Sequence, residues 1–163
     1  MMTTKGSIMK PTSSHDIPAL KTWSVRMVES TLQRYTLQDA LWHYEHGLQV
    51  MAIQKVAETT GEPRYHRFVS DWIDHFVKSD GNIRTYRIDE YNLDQINAGK
   101  LLFGVLERTG AERYRKALEL LREQLRTQPR TNSNGFWHKK IYPYQMWLDG
   151  IYMAGPFLAE YAN

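Results

Sequence analysis

The amino-acid sequence predicts an all-α protein in which an inner row of helices is wrapped by an outer row. Apolar residues recur at helical steps of three and four, whereas the alternation typical of strands is scarce. Segments with one apolar stripe alternate with segments that are apolar on all sides, and the second pattern indicates helices buried all round. A repeat with a period near 50 residues relates successive helix pairs, as expected for stacked helical hairpins.

The composition suits a single globular domain. The 163 residues are 42 % hydrophobic and 24 % charged, which excludes a disordered or fibrous chain. Cysteine is absent, which excludes a disulfide scaffold, thiolate metal sites and a cysteine nucleophile. A formal net charge of +3 gives weak support for nucleic-acid binding. Because neither a secretion signal nor a membrane span is evident, we expect a cytoplasmic protein that binds neither membranes nor nucleic acid.

The three outer helices are expected to be amphipathic. Pro63 suits the first turn of the second one, where its missing N–H costs nothing. In the third, Glu112 and Lys116 form an i,i+4 pair on a charged face, which indicates a solvated helix surface. The polar residues 1–16 are expected to form a flexible arm, and residues 17–163 the helical domain. The outer helices are expected at about 17–35, 63–78 and 111–126.

The inner helices repeat with the same period as the outer ones. Gly61 and Gly110, 49 residues apart, each follow a threonine and would end an inner helix in the left-handed conformation. In both copies a tyrosine four residues later, Tyr65 or Tyr114, is expected to anchor the next outer helix. The inner helices are expected at about 42–59, 94–108 and 145–161.

Two connections are longer than plain turns. Residues 80–92 contain a Gly-Asn pair followed by a short β-prone run, which predicts a small β excursion. Residues 128–144 are rich in aromatic side chains, and long connections of this kind are usually functional.

The inner helices begin with aromatic and ionisable residues. Because inner helices of such a fold run parallel, their first turns converge on one face, and the 128–144 loop leads to the same face. We expect this face to collect the side chains of Trp42, His43, Tyr44, Asp94, Trp137, His138, Lys139, Trp147 and Asp149.

Asp149 and Asp94 are the candidate acid–base groups. Apolar neighbours should desolvate Asp149 and raise its pKa, which suits a general acid; the alternative is a structural aspartate. Asp94 lies just before a helical pattern, where an aspartate is often only an N-cap. Carboxylates at equivalent positions of successive inner helices can, however, face one cavity.

Other chemistries are less well supported by the sequence. His43 and His46 have i,i+3 spacing, but a third ligand at helical spacing is missing, so no metal site is predicted. A glycine-rich phosphate loop and a Gly-x-Ser-x-Gly motif are absent. Aromatic rings beside carboxylates and Lys139 favour a sugar acid as ligand, with the lysine and His138 neutralising its carboxylate.

The sequence resembles a known family most closely around the last inner helix. The runs GFWHK at 135–139 and YPYQMWLDGIYM at 142–153 closely resemble the unsaturated rhamnogalacturonyl hydrolases, glycoside hydrolase family 105. The family 88 unsaturated glucuronyl hydrolases are more distantly similar. The runs WHY at 42–44 and LD at 93–94 match as well, and the similarity extends from about residue 17 to residue 163.

This resemblance implies an (α/α)6 barrel and hydrolysis of 4,5-unsaturated galacturonyl residues from the non-reducing end of rhamnogalacturonan or pectin lyase products. It implies that Asp149 is the general acid/base, protonating C4 and helping water add at C5, and that Asp94 binds the sugar or assists. It implies no metal and no cofactor. The substrate-binding residues expected are Trp42, His43, Tyr44, Gly47, Trp137, His138, Lys139, Tyr142, Gln145 and Trp147.

The sequence departs from the family in length, since about three of six hairpins are present. We therefore expect either a truncated enzyme or an inactive half-barrel that acts as a carbohydrate-binding or interaction module; a helical-repeat scaffold that binds proteins is a further alternative. The last inner helix lacks an outer partner, so self-association or a missing C-terminal half is expected to cover its apolar edge.

Overall fold

Residues 22–163 are described by the structure, a computed structural model, so the arm expected at residues 1–16 lies outside the described part. Seven α-helices and two short 3₁₀ turns (Leu37–Asp39 and Ile88–Glu90) form between residues 22 and 163, and no β-strand occurs in that range. The helices are α1 (Trp23–Arg34), α2 (Tyr44–Thr60), α3 (Pro63–Phe76), α4 (Asp94–Asn97), α5 (Lys100–Thr109), α6 (Glu112–Thr127) and α7 (Leu148–Tyr161).

The helices form three outer–inner pairs, which confirms the predicted all-α architecture. The outer helices α1, α3 and α6 pack on the inner helices α2, α5 and α7, and α4 lies between α2 and α7. The inner row is apolar where neighbouring helices meet, so burial of these side chains supplies most of the stabilisation. The largest fully buried side chains include Trp42, Trp72, Phe76, Leu101, Leu102, Leu121 and Phe157.

The predicted repeat extends to individual hydrogen bonds. Gly61 and Gly110 have φ angles of 68° and 62° and end α2 and α5 in the left-handed conformation. Tyr65 then donates a hydrogen bond to Glu29 on the preceding outer helix, and Tyr114 donates one to Asp74 in the same way. Each pair of outer helices is therefore joined through an equivalent tyrosine and acid.

The second inner helix is broken, contrary to the continuous helix expected at 94–108. At the break the backbone makes i→i+3 hydrogen bonds, from Gly99 to Ile96 and from Leu101 to Ala98. Ala98 lies against Gly47 of α2, where an added Cβ would come within 2.8 Å of the alanine Cβ. The break therefore coincides with the closest approach of α2 to the second inner helix.

The small β excursion expected at residues 80–92 occurs as an isolated bridge and does not extend to a strand. A single bridge pairs Val77 with Ile83, and a tight turn lies between them. Asp80 stabilises this turn by accepting hydrogen bonds from the backbone and side-chain nitrogens of Asn82. The following residues instead enter the Ile88–Glu90 turn, which leads to α4.

One side of α7 is apolar and exposed. Leu148, Ile151 and Tyr152 project from this side, with Leu158 about two turns beyond Ile151. None of the helices in residues 22–163 has the length and hydropathy needed to cross a bilayer. That self-association or a C-terminal half covers the exposed side of α7 stays a prediction.

Candidate active site

Asp94 is a buried carboxylate with three basic partners. Its backbone N–H is capped by Asn92, so the expected alternative of Asp94 as only an N-cap is wrong. The side chain is 4 % exposed; one oxygen lies 3.0 Å from His138 Nε2, and the other lies 2.6 Å from Lys139 Nζ and 3.4 Å from His43 Nε2. These charge-assisted contacts stabilise the ionised carboxylate.

The loop before α7 is fixed to the start of α4 through its backbone. The carbonyl of His138 accepts a hydrogen bond from Leu93 N at 3.0 Å, and His138 N donates to the Gln145 carbonyl at 2.8 Å. These bonds place the imidazole beside Asp94 although the two residues are 44 positions apart. The predicted convergence of the inner-helix starts and the loop is thus realised for Asp94, His138 and Lys139.

An aromatic stack encloses the imidazole of His138, which is 0 % exposed. The Trp147 indole lies nearly parallel to it, with centroids 4.3 Å apart, and stacks in turn on Tyr142 at 5.3 Å. Gly150 makes room for this ring, because an added Cβ would lie 3.1 Å from His138 Nδ1. His138 is therefore too buried to contact a substrate directly, which corrects its expected role.

Asp149 faces the second ring nitrogen of His138, Nδ1. One carboxylate oxygen is 3.8 Å from His138 Nδ1, and the side chain is 53 % exposed. The desolvation expected for Asp149 is therefore wrong for this chain. Its apolar neighbours Leu148, Ile151 and Tyr152 are themselves exposed on α7 and do not enclose the carboxylate.

The first turn of α2 contributes two partly exposed rings. His43 lies between Asp94 and Glu45, and its ring contacts that of Tyr44 at 4.9 Å. The charge of Glu45 raises the pKa of the Tyr44 phenol, with further contributions from the charges of Asp94 and Asp149. Tyr44 is therefore within electrostatic reach of both candidate carboxylates.

Two residues expected to bind substrate belong to the core instead. Trp42 is 1 % exposed, stacks on Trp72 and donates its indole N–H to the Gln95 carbonyl at 2.8 Å. Gly47 is buried at the contact between α2 and Ala98 described above. Both residues shape the site through packing, and both are buried away from any substrate.

Three further expected site residues have structural contacts of their own. Trp137 packs against Tyr144 with centroids 4.7 Å apart. Gln145 accepts a hydrogen bond from the Trp147 indole at 3.0 Å, so it orients the aromatic stack. Lys139 is paired with Asp94, which leaves it less available for the carboxylate of a substrate than the sequence suggested.

Two buried glutamines position the loop and were missed by the sequence reasoning. Gln128 donates hydrogen bonds to the carbonyls of Tyr91 and Trp137, and Gln124 donates to the Asn92 carbonyl. The available signal was their spacing, since Gln124 continues the apolar stripe of α6 and Gln128 follows at i+4. A polar residue on a buried stripe indicates a specific hydrogen-bonding role.

The side chains of Asp94, His138 and Asp149 are better arranged for hydrogen bonding to one another and to Lys139 than for binding a metal ion. Ligand atoms of Asp94, His138 and Asp149 all lie within 4.8 Å of one another. Lys139 and His138 already engage the oxygens of Asp94, however, and a nearby ammonium opposes cation binding. His46, the other half of the His43–His46 pair, contacts the Tyr35 hydroxyl at 2.7 Å.

Comparison with known proteins agrees with the observed fold. The family model described as Glycosyl Hydrolase Family 88 matches residues 23–163. A solved glycoside hydrolase from family 105 of C. acetobutylicum ATCC 824 superposes with a TM-score of 0.81 and 45 % sequence identity. That match covers 87 % of this chain and 39 % of the other, so this chain spans about two fifths of that relative's length. The resemblance found in the sequence is confirmed, and the chain belongs to glycosyl hydrolase family 88.

Proposed function

We propose that this chain carries the acid–base site of a hydrolase that removes 4,5-unsaturated galacturonyl residues from the non-reducing end of rhamnogalacturonan or pectin lyase products. The observation that carries the proposal is the pair of carboxylates on one imidazole. Asp94 Oδ1 lies 3.0 Å from one nitrogen of His138, and Asp149 Oδ1 lies 3.8 Å from the other.

The surroundings of the two carboxylates give them different roles. Asp94 is buried against Lys139, His138 and His43, so it accepts hydrogen bonds as an anion and is poorly placed to release a proton. Asp149 is exposed and can exchange protons with water and with a substrate. Asp149 is therefore the proposed general acid/base, and Asp94 orients the groups around it.

The proposed reaction is hydration of the C4–C5 double bond. Asp149 donates its proton to C4, positive charge develops at C5, and a water molecule adds there. The same carboxylate accepts the proton that this water loses, so Asp149 is protonated again at the end of the step. The hemiketal at C5 then opens and releases the next sugar. The carboxylate separation that distinguishes direct displacements at the anomeric carbon does not apply to this route.

Partly exposed rings around the carboxylates are the proposed sugar contacts. Tyr44 and His43 lie on the α2 side, while Tyr142 and Trp147 lie on the loop side. Aromatic rings present broad apolar faces with few rotatable bonds, which suits binding of a sugar ring. Because Lys139 and His138 are engaged with Asp94, recognition of the uronate carboxylate is assigned to neither residue.

A second candidate function is carbohydrate binding without turnover. The chain spans 39 % of the similar family 105 protein, and the apolar side of α7 is exposed. We propose that further helices of the family fold, or a second copy of this chain, pack on that side. Without them, the site would retain its sugar contacts and lose the enclosure that excludes bulk water.

An unsaturated disaccharide from lyase digestion separates these two functions. Hydrolysis predicts a decrease in the ultraviolet absorbance of the conjugated double bond upon mixing with the protein. Saturable binding by calorimetry without a change in absorbance would instead support the binding module. Neither binding nor turnover would overturn both proposals and favour the helical scaffold.

A further inference from the structure

The Nδ1 atom of His138 is a buried polar atom without a hydrogen-bond partner. It belongs to a side chain that is 0 % exposed, and it faces Asp149 Oδ1 at 3.8 Å. Buried nitrogens of this kind are costly to leave unsatisfied, so a retained one suggests a function. Its counterpart Nε2 is fully engaged, 3.0 Å from Asp94.

The partners of Asp94 determine which nitrogen of His138 carries hydrogen. Lys139 Nζ lies 2.6 Å from the second oxygen of Asp94, which stabilises the carboxylate as an anion. An anionic carboxylate only accepts hydrogen bonds, so Nε2 must donate. In the neutral ring, Nδ1 therefore presents its lone pair toward Asp149.

We propose that His138 is a positioning residue that shares one proton with Asp149. This inference rests on the proposed function, in which Asp149 is the acid/base. In one state the proton is on Asp149 Oδ1; in the other it is on Nδ1 and Asp149 is an anion. Because the two atoms are 3.8 Å apart, the transfer requires the exposed Asp149 side chain to approach to hydrogen-bond distance or one water to bridge the gap. The Nε2–H bond to Asp94 is unchanged in both states, so only one proton moves between two atoms.

The surrounding charges allow this transfer without a change in net charge. Asp94 and Lys139 form one neutral pair in both states. Asp149 and His138 are either both neutral or oppositely charged, and the total is zero each time. The other ionisable groups nearby are His43, on the far oxygen of Asp94, together with Glu45, Tyr44 and Tyr142.

Sharing a proton with His138 allows Asp149 to lose and regain its proton during the reaction. After Asp149 has donated to C4, the imidazole can stabilise the resulting carboxylate, and it can share the proton that Asp149 then accepts from the attacking water. The proton returns to Asp149 when the product leaves, so protons balance over the cycle. This arrangement also explains the glycine at position 150, since a Cβ there would press on Nδ1.

Nitrogen NMR of the histidine side chains in the intact chain tests the proposal without substrate. We expect His138 to carry hydrogen at Nε2 when neutral, with Nδ1 as the nitrogen that takes up the shared proton. In Asp149→Asn, at a fixed pH, the Nδ1 signal should move toward that of a ring nitrogen without hydrogen, because the partner that supplies the shared proton is lost. An Nδ1–H tautomer, or an Nδ1 signal that Asp149→Asn leaves unchanged, would overturn the proposal.

Kinetics of His138→Gln provide the second readout. A glutamine amide can still donate to Asp94 but cannot take up a proton, so we expect kcat to fall about 100-fold with a small change in KM. The control is His75→Gln on α3, outside the cluster, which should retain wild-type rates. A His138→Gln enzyme with an unchanged kcat and pH profile would contradict proton sharing.

The two proposals fail separately. If the wild-type chain shows no turnover, the proposed function fails, while the tautomer of His138 and its Nδ1 signal still decide whether Asp149 and the imidazole are coupled. If the wild type turns over and His138 does not respond to Asp149→Asn, only proton sharing is rejected.

Discussion

The starts of α4 and α7 carry similar sequence patterns but have opposite environments. Each places an aspartate in the first turn of an inner helix, and both carboxylates face the same imidazole. Asp94 is 4 % exposed with three basic partners, whereas Asp149 is 53 % exposed and 3.8 Å from His138 Nδ1. Burial and charge pairing make Asp94 an anion that stays in place, whereas Asp149 can exchange its proton. The local sequence does not reveal this difference.

The difference follows from the position of each helix in the inner row. The α4 helix has inner neighbours on both sides, α2 and α7, so its first turn is enclosed. The α7 helix packs on α4 and α5 along one side and is exposed along the other. Substitutions in the two first turns should therefore have distinct effects on turnover and on stability.

Asp149→Asn should have the largest effect on turnover. We expect hydrolysis to fall by about 1000-fold or more, because the amide cannot donate or accept the transferred proton. The free energy of unfolding should change by less than about 0.5 kcal/mol, since the side chain is exposed. The change in absorbance of the unsaturated substrate measures turnover, and urea unfolding measures stability.

Asp71→Asn on α3 is the matched control for an exposed aspartate, and it should leave both quantities unchanged. If Asp149→Asn turned over substrate at the wild-type rate, the roles assigned to Asp149 and Asp94 would be wrong.

Asp94→Asn should have the largest effect on stability. Removing the buried anion leaves Lys139 and two histidines without their shared partner, which should cost about 3 kcal/mol of unfolding free energy. Urea unfolding compared with Asp149→Asn gives the contrast directly. Equal stability of the two variants would mean that the Asp94 contacts contribute little.

Gly150→Ala tests the closeness of α7 to the imidazole. Its new Cβ would lie 3.1 Å from His138 Nδ1, so the ring or the helix must shift, and we expect destabilisation by about 1 kcal/mol. Gly155→Ala is the matched control on the same helix, because its Cβ would enter open space. That control should be neutral or stabilising by roughly 0.5 kcal/mol, in line with helix propensity. Thermal unfolding of both variants would reveal a reversed order, which would contradict the packing described.

Lys100 provides an effect on stability that depends on pH, and it contrasts with Lys139, which is paired with Asp94. Burial lowers the pKa of Lys100 from 10.5 to about 8. Between these pH values the unfolded chain binds more protons than the folded chain, so unfolding free energy should rise as pH increases through that range. Because the side chain is partly exposed, we expect a rise of only about 1 kcal/mol. Lys100→Met should remove this rise in urea unfolding at a series of pH values; an identical pH dependence in both proteins would exclude this cause.

Much of the fold could be predicted from the sequence because helical periodicity and the repeat are local signals. The outer helices, the glycine ends and the tyrosine contacts all follow from short segments. The break at Ala98 and Gly99 could not be predicted in this way, since it coincides with the close approach of α2 to a distant segment.

The sequence predicts which residues form the site better than it predicts how buried each of them is. The sequence indicates Asp94, Asp149 and His138 as candidates, and the structure brings them together. The expected burial of Asp149 was wrong because apolar neighbours along a sequence need not pack on the side chain between them. The burial of His138 depends on α4, α7 and the loop at once, so no single segment indicates it.

The most direct test of the proposed function follows chromophore loss and sugar release in the same reaction. Hydration at C4 and C5 destroys the double bond before the sugar leaves, so we expect one chromophore to be lost for each sugar released. In Asp149→Asn we expect neither chromophore loss nor sugar release. Release of sugar while the conjugated double bond persists would show direct cleavage at the anomeric carbon and would contradict the proposed role of Asp149.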